Sequence, residues 1–189
     1  MLRGYLELLR PANVVTAIAD VLAGYAVAGR SHPQALPWLV GATMCLYAGG
    51  VVLNDVFDRD VDAVERPERP IPSGRVSTSR ATILGTSLLA AGVLAAAQAA
   101  RDALVVSAAI AALVILYDAR TKRHAIAGPI NMGLCRGLNL LLGVSAVAGA
   151  VESRWPVALF TVVYIAAVTA VSRGEVHGGR ATVAMAALI

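Results

Sequence analysis

A dense acidic motif, NDVFDRDVD at residues 54–62, directly follows a long apolar stretch. If the preceding helix continues through the motif at about 100° per residue, four polar side chains fall within about 100° on one face. These side chains are Asn54, Asp55, Asp58 and Asp62. Like charges four residues apart destabilise a helix, and carboxylates beside hydrocarbon cost more, so this face needs a cation. Asp60 points elsewhere and is interpreted as a solvated charge or an arginine partner.

Oxygen donors spread along about 12 Å of a helix face suit Mg²⁺, which binds a few carboxylates, substrate phosphate oxygens and retained waters. The next segment, ERPERPIPSGR at residues 65–75, alternates arginines with prolines. Prolines stiffen a loop, and guanidinium groups grip phosphate oxygens. Together the two segments predict a magnesium diphosphate site, with Arg66 and Arg69 in its cationic part.

Two other kinds of site could account for the acidic motif. An EF-hand loop beginning at Asp58 would have Ala63 where glycine is required and Arg69 where the bidentate glutamate belongs, so it is excluded. A solvated polar loop at a membrane exit explains the charge but not the single face, and it stays open as the simpler alternative.

The composition of the chain indicates which secondary-structure elements carry this motif. The 189 residues are 58% hydrophobic and 15% charged, and the mean hydropathy is +0.70. Long runs of Ala, Leu, Val and Gly without period-2 alternation favour membrane-spanning helices over a β-barrel. We therefore expect an all-α, multi-pass transmembrane bundle with about six spans plus the start of a seventh. The six spans are predicted at 12–29, 36–54, 80–99, 103–118, 129–150 and 155–171.

The basic residues predict the orientation of this bundle. Twelve of the 16 Lys and Arg residues fall before the first span or after the second, fourth and sixth spans. By the positive-inside rule the N-terminus and the site loops lie in the cytoplasm. The net charge of +4 is thus assigned to topology, with the lipid bilayer as partner and no nucleic acid.

A weak internal repeat organises the chain. Pro11-Ala12-Asn13 opens the first span, and Pro129-Ile130-Asn131 opens the fifth span 118 residues later. Two facing units of about four helices would explain the match. On that hypothesis residues 1–189 form a single membrane-embedded domain that is incomplete at its C-terminus, and ATVAMAALI at 181–189 begins a seventh span.

Polar residues inside the predicted spans are secondary site candidates, because such residues usually face the bundle interior or a cavity. Each asparagine has an interhelical hydrogen bond as its simpler explanation. Arg136 needs an anion, which Asp20 or substrate phosphate could supply, while Gly133 and Gly137 mark a side that packs on another helix. The set is Asn13, Asp20, Asn131, Arg136 and Asn139, of which Asn13 and Arg136 are the candidates for binding substrate diphosphate.

The acidic motif and the arginine loop closely resemble the first aspartate-rich motif of the UbiA superfamily of intramembrane prenyltransferases. Two further segments extend the likeness, namely R10-P11 and the Y117-D118-A119-R120-T121-K122-R123 loop, so it covers most of the chain. The resemblance implies transfer of an isoprenoid chain from a prenyl diphosphate to a lipophilic, often aromatic, acceptor, with Mg²⁺ as cofactor. It implies magnesium binding by Asn54, Asp58 and Asp62 with Asp55 in support, phosphate contacts from Arg66, Arg69 and Lys122, and a reactive centre near Tyr117. Asp58, Asp62 and Tyr117 are the candidate catalytic residues.

One part of the family pattern is missing. Typical members carry a second aspartate-rich motif after the sixth span, where this chain reads SRGEVHGG and resembles the EboC-like branch. Glu175 is the acid available there and is a weaker candidate metal ligand. The alternative function is therefore a weakly catalytic or non-catalytic membrane component that binds or transports isoprenoid diphosphate. A phosphatidyltransferase of the CDP-alcohol type fits less well, because the D-G-x-x-A-R pattern is absent.

Overall fold

The computed structural model describes residues 2–176, with side chains from 3 to 172, and over this range the chain is helical without a strand. A short 3-10 helix at Thr121–Arg123 carries the end of the YDARTKR segment. The α-helices are α1 (Leu2–Leu9), α2 (Pro11–Val27), α3 (Leu36–Phe57), α4 (Arg59–Glu65), α5 (Thr78–Ala99), α6 (Arg101–Ala119), α7 (Ala127–Val144), α8 (Ala150–Arg154) and α9 (Pro156–Val176).

Each of the six predicted spans corresponds to one of these helices, and the all-helical architecture is confirmed. The helices α3, α5 and α6 are long and apolar enough to cross a membrane, and Pro156–Ser172 is a shorter apolar helix. The number of crossings stays a prediction. The predicted fifth span, 129–150, is too long, because α7 ends at Val144 and a turn with Gly149 at φ 72° follows it. The predicted seventh span lies outside the described residues.

Four helices, α2, α3, α6 and α7, surround the interior cavity. On the outside, α5 packs on α3 and α9 packs on α7. Glycines allow α2 and α7 to approach closely. A Cβ on Gly143 would collide with the backbone oxygen of Val21, and one on Gly24 would collide with that of Leu140. Small residues are what permits such backbone contact between helices in a bilayer.

The second glycine face, on α7, lies where the sequence predicted it. A Cβ on Gly133 would meet the backbone of Val162 in α9, and one on Gly137 would meet the Val162 side chain. The opposite side of α7, with Arg136 and Asn139, is thereby left to face the interior.

The acidic motif is not one continuous helix, which corrects the expectation from the sequence. Asp58 has φ −91° and ψ 2°, so α3 ends before it and α4 begins after it. The backbone hydrogen bonds nevertheless continue across the break, from Asp58 N to Asn54 O at 2.9 Å and from Asp62 N to Asp58 O at 2.8 Å. The four-residue spacing of the backbone hydrogen bonds therefore persists through the motif.

The arginine-rich loop between α4 and α5 is anchored rather than loose. Ile71 and Val76 are buried in a small apolar cluster with Leu8 of α1 and with α3. Outside the cluster, Arg75 donates to Glu7 at 2.7 Å, and this charged hydrogen bond lowers the pKa of the Glu7 carboxyl. The anchored loop places Arg69 against the acidic motif.

Candidate functional site

The centre of the site is the carboxylate of Asp55, which is 4% exposed at the end of α3. Arg10 donates to its Oδ1 at 2.5 Å, and Arg69 donates to the same atom at 3.3 Å. Arg10 itself adopts the left-handed conformation, with φ 44° and ψ 58°, which is costly for a residue with a Cβ. Two cations converging on one buried carboxylate fit the rule that buried charges are paired.

Arg69 also bridges to the next turn of the acidic motif. Its guanidinium donates to Asp62 Oδ2 at 2.6 Å, and Asp62 is only 3% exposed. One arginine thus holds two carboxylates that would otherwise repel each other. The pairing explains how two buried aspartates coexist within eight residues of chain.

A second cation reaches the motif from the other side of the bundle. Lys122 Nζ lies 2.7 Å from Asp58 Oδ1. The 3-10 helix that carries Lys122 is tied to α7, because the Asn131 amide donates to Thr121 Oγ1 at 2.9 Å. Asn131 therefore positions the 3-10 helix Thr121–Arg123, which we call the lysine turn. This is the hydrogen bond that was the simpler explanation for Asn131.

Asp118 is a site residue that the sequence reading did not select. It lies near the end of α6, is 5% exposed, and accepts a hydrogen bond from the Asn54 amide at 2.9 Å. The available signal was its place directly after Tyr117, as an acid at the end of an apolar span. The site therefore joins the Asn54 amide of α3 to an acidic residue of α6 that lies 64 residues later in the chain.

A cavity of about 310 Å³ lies between α2, α3, α6 and α7, and Asn54 is the residue of the acidic motif that lines it. Other charged groups of the site do not line the cavity, namely Asp55, Asp58, Asp62, Arg69 and Lys122. Asn54, Asp118, half-buried Tyr117 and Arg10 line one part of it. Most of the remaining wall is apolar and includes Leu46, Val51, Ile110, Val114 and Met132. The arrangement can hold a polyanionic group at the charged residues and an apolar chain in the cavity.

A separate polar network lines the cavity further along α2 and α7. Arg136 Nε lies 3.0 Å from Asp20 Oδ2, so the anion that Arg136 requires is Asp20. The Asn139 amide donates to the Ala17 carbonyl at 2.8 Å, and its Oδ1 accepts from Thr43 Oγ1 at 2.7 Å. Arg136 lies on the cavity wall but away from the motif of residues 54–62, so its diphosphate role stays a prediction.

Other predicted residues are not brought to the cavity wall. Arg66 and Asn13 are exposed, and neither lines the cavity. Asp60 is exposed and lies 3.4 Å from Arg59, as the sequence indicated for it. Glu175 falls beyond the last described side chain. Among the described residues, no group of three or more Asp, Glu, His or Cys side chains is gathered as a metal cage.

Comparison with known proteins shows the family and the fold. The model of the UbiA prenyltransferase family matches residues 17–184. A digeranylgeranylglyceryl phosphate synthase from Methanothrix thermoacetophila is 41% identical over 141 residues, covering 73% of this chain and 52% of that protein. The synthase from Methanopyrus kandleri is 36% identical over 167 residues, covering 87% of this chain and 60% of that protein. The chain thus spans about half to three fifths of the curated relatives that it matches.

Solved structures agree with this assignment. One reported for digeranylgeranylglyceryl phosphate synthase in membranes has a TM-score of 0.79 and 25% identity, covering 88% of this chain and 60% of that chain. A UbiA homologue from Archaeoglobus fulgidus bound to GPP and Mg²⁺ has a TM-score of 0.69 and 22% identity, covering 87% and 60%. At that identity the second match shows the fold alone.

Proposed function

The chain belongs to the UbiA prenyltransferase family, and from this premise we propose that it transfers an isoprenoid chain from a prenyl diphosphate to a lipophilic acceptor within the membrane. The observation that carries the proposal is the junction of charged and apolar surfaces. Arg10, Asn54 and Asp118 lie on the wall of a mostly apolar cavity. Arg10 is paired with Asp55, which Arg69 connects to Asp62. A prenyl diphosphate likewise has a charged part, the diphosphate, and an apolar part, the isoprenoid chain.

Magnesium fits the donor set. Asn54, Asp55, Asp58 and Asp62 offer the hard oxygen atoms that Mg²⁺ prefers, and the substrate supplies phosphate oxygens. We assign these four residues as the metal-binding side; a UbiA homologue of the same fold has been solved bound to GPP and Mg²⁺. Bound Mg²⁺ would offset the negative charge that develops on the leaving diphosphate.

Arg69 and Lys122 have two roles, pairing with the aspartates and contacting the substrate diphosphate. Arg69 and Lys122 lie 2.6 Å and 2.7 Å from their aspartates, so they keep the acidic motif neutralised when no substrate is present. The same side chains can donate to diphosphate oxygens when metal ions neutralise the aspartates. Arg66, exposed at the start of the loop, is the further candidate for an outer phosphate contact.

The apolar wall of the cavity protects the reactive intermediate from water. Ionisation of the allylic carbon–oxygen bond creates a carbocation that water would destroy, and a dry cavity excludes water. Tyr117 lies on this wall next to Asp118, so we place the reacting carbon near Tyr117. The carbon–oxygen bond breaks first, with its electron pair leaving on diphosphate. The acceptor then attacks the carbocation and releases its proton.

The protein is an integral membrane protein, as its family and apolar helices show. We further propose that its N-terminus and the charged part of the site face the cytoplasm. The excess of Lys and Arg at the ends of the second, fourth and sixth predicted spans supports this orientation.

The proposal is tested with the 189-residue chain in lipid nanodiscs. Binding of labelled farnesyl diphosphate and transfer to a panel of aromatic and glycerophosphate lipid acceptors are measured with Mg²⁺ and with EDTA. We expect Mg²⁺-dependent binding that falls at least about tenfold in Asp58→Ala. Asp60→Ala, an exposed acid of the same motif, is the matched control and should bind like wild type. Binding that ignores both Mg²⁺ and Asp58 contradicts the site, whereas binding without transfer favours the non-catalytic alternative.

A further inference from the structure

Asp118 is a buried acid of the site that lies outside both the acidic motif and the arginine loop. It belongs to the YDARTKR segment near the end of α6 and is 5% exposed. Its Oδ1 accepts a hydrogen bond from Asn54 Nδ2 at 2.9 Å, and both residues line the cavity. In the proposed function Asn54 is a metal ligand, so the group that holds its amide bears directly on metal binding.

Helix packing one turn earlier sets the distance between Asn54 and Asp118. Gly50 lies four residues before Asn54 on α3, and Val114 lies four residues before Asp118 on α6. A Cβ on Gly50 would lie 2.9 Å from Val114 Cγ1, so the two helices approach closely at that turn. Because helical residues four apart lie on one face, the same two faces bring Asn54 and Asp118 together.

Asn54 differs from the three aspartates of the motif in how it can bind a cation. An ionised carboxylate presents an oxygen acceptor whichever way it is turned, whereas an amide has one oxygen and an NH₂ group that only donates. Asn54 therefore binds Mg²⁺ only when its Oδ1 is directed to the metal. Because an ionised carboxylate only accepts hydrogen bonds, Asp118 holds the NH₂ group, and the amide directs Oδ1 away from Asp118.

We infer that Asp118 is a positioning residue for Asn54, and that its carboxylate holds the amide so that Oδ1 faces the metal. Groups that hydrogen-bond to a metal ligand fix its orientation, and their removal commonly costs about 10- to 100-fold in metal affinity. This role rests on the proposed function, since it concerns the magnesium of that site. It gives α6 a part in metal binding, although the acidic motif itself lies on α3 and α4.

The Mg²⁺ dependence of substrate binding tests this role. Labelled farnesyl diphosphate is bound to the 189-residue chain in nanodiscs over a series of Mg²⁺ concentrations, and the concentration at half-maximal binding is measured. Asp118→Ala frees the Asn54 amide to turn, and we expect it to raise this concentration roughly tenfold or more. Asp118→Asn can still accept from Asn54 Nδ2 through its own amide oxygen, so it should stay within about threefold of wild type.

Asp102→Ala is the matched control, because Asp102 lies at the other end of α6 and accepts from the Gly149 backbone N–H at 3.2 Å. It removes one hydrogen bond away from the site, so its half-maximal Mg²⁺ concentration should equal that of wild type. An Asp118→Ala protein with lower thermal stability but an unchanged Mg²⁺ dependence would overturn the positioning role and leave a structural one.

Two further outcomes also decide the matter. A loss of about tenfold in Asp118→Asn would overturn the positioning role, because the carboxylate itself would then bind the metal. Wild-type binding that does not respond to Mg²⁺ would overturn the proposed function and the positioning role with it.

A measurement on the wild-type protein covers the case in which Asp118→Ala does not fold. The protein is labelled with ¹⁵N in asparagine side chains and ¹³C in aspartate carboxyl groups. Solid-state NMR then detects the contact between Asn54 and Asp118 as a dipolar coupling, which is assigned by its disappearance in Asp118→Asn. The coupling should persist when Mg²⁺ and farnesyl diphosphate bind. Its loss on binding would overturn the positioning role, because Asp118 would then have left the amide.

Discussion

Arg69 donates to Asp62 across 2.6 Å, and this one contact joins the arginine loop to the acidic motif. The same guanidinium reaches Asp55 at 3.3 Å, so a single side chain compensates two buried carboxylates. The loop and the motif are adjacent in sequence, yet their pairing depends on the anchoring of Ile71 and Val76 against α1 and α3.

Removal of Arg69 should destabilise the protein when Mg²⁺ is absent. Arg69→Ala leaves Asp55 and Asp62 buried without that cation, and we expect a loss of about 2 to 4 kcal/mol in the free energy of unfolding. Because a divalent cation can replace the guanidinium, Mg²⁺ should restore part of the loss. Thermal unfolding in nanodiscs with Mg²⁺ and with EDTA measures both effects.

Arg66→Ala is the matched control for that experiment, since Arg66 is an exposed arginine of the same loop. It should unfold like wild type in EDTA. An Arg69→Ala protein as stable as this control would show that the two aspartates do not depend on Arg69.

The left-handed backbone of Arg10 gives a second prediction. Both Arg10→Ala and Arg10→Gly remove the bond to Asp55, but only glycine adopts φ 44° without strain. Arg10→Gly should therefore be more stable than Arg10→Ala by about 1 kcal/mol, as measured by thermal or denaturant unfolding. The reverse order would mean that Arg10 does not hold this conformation in the membrane.

The hydrogen bond between Asn54 and Asp118 can be tested by exchanging the two groups. Asn54→Asp places two carboxylates at a 2.9 Å contact, so we expect about 1 to 3 kcal/mol of destabilisation without metal. The double variant Asn54→Asp with Asp118→Asn restores one amide and one carboxylate, and its stability should recover toward wild type. Thermal unfolding in EDTA of both variants checks this recovery, and a double variant no better than Asn54→Asp would rule out the contact.

Helix approach at Gly143 provides a prediction about packing. Gly143→Ala forces a methyl group into the Val21 backbone, which should cost about 1 to 3 kcal/mol of stability. Gly41→Ala is the control, because Gly41 lies within α3 and a Cβ there meets nothing within 4 Å. That substitution should stabilise the protein by about 0.5 to 1 kcal/mol. Equal thermal unfolding of the two variants would contradict the close contact between α2 and α7.

The local pattern of apolar residues was sufficient to predict the positions of the long helices. Apolar runs of membrane-spanning length predicted all six long helices, because helix formation follows the period and hydropathy of consecutive residues. The spacing of Asn54, Asp55, Asp58 and Asp62 predicted a shared face, and backbone hydrogen bonds keep their four-residue intervals across the break at Asp58. The break itself, and the end of α7 at Val144, did not follow from composition.

The partners of the motif depended on tertiary structure. Arg10 lies 45 residues from Asp55, and Asp118 lies 64 residues from Asn54, so no local period connects them. The Asp20–Arg136 pair was one of two options that the sequence left open, and packing of α2 against α7 chose between them. Residue types and spacing alone determined a membrane helix bundle with an acidic face and an arginine loop. Only the packing of helices distant in sequence decided which cation meets each carboxylate, because ion pairs depend on distances in space.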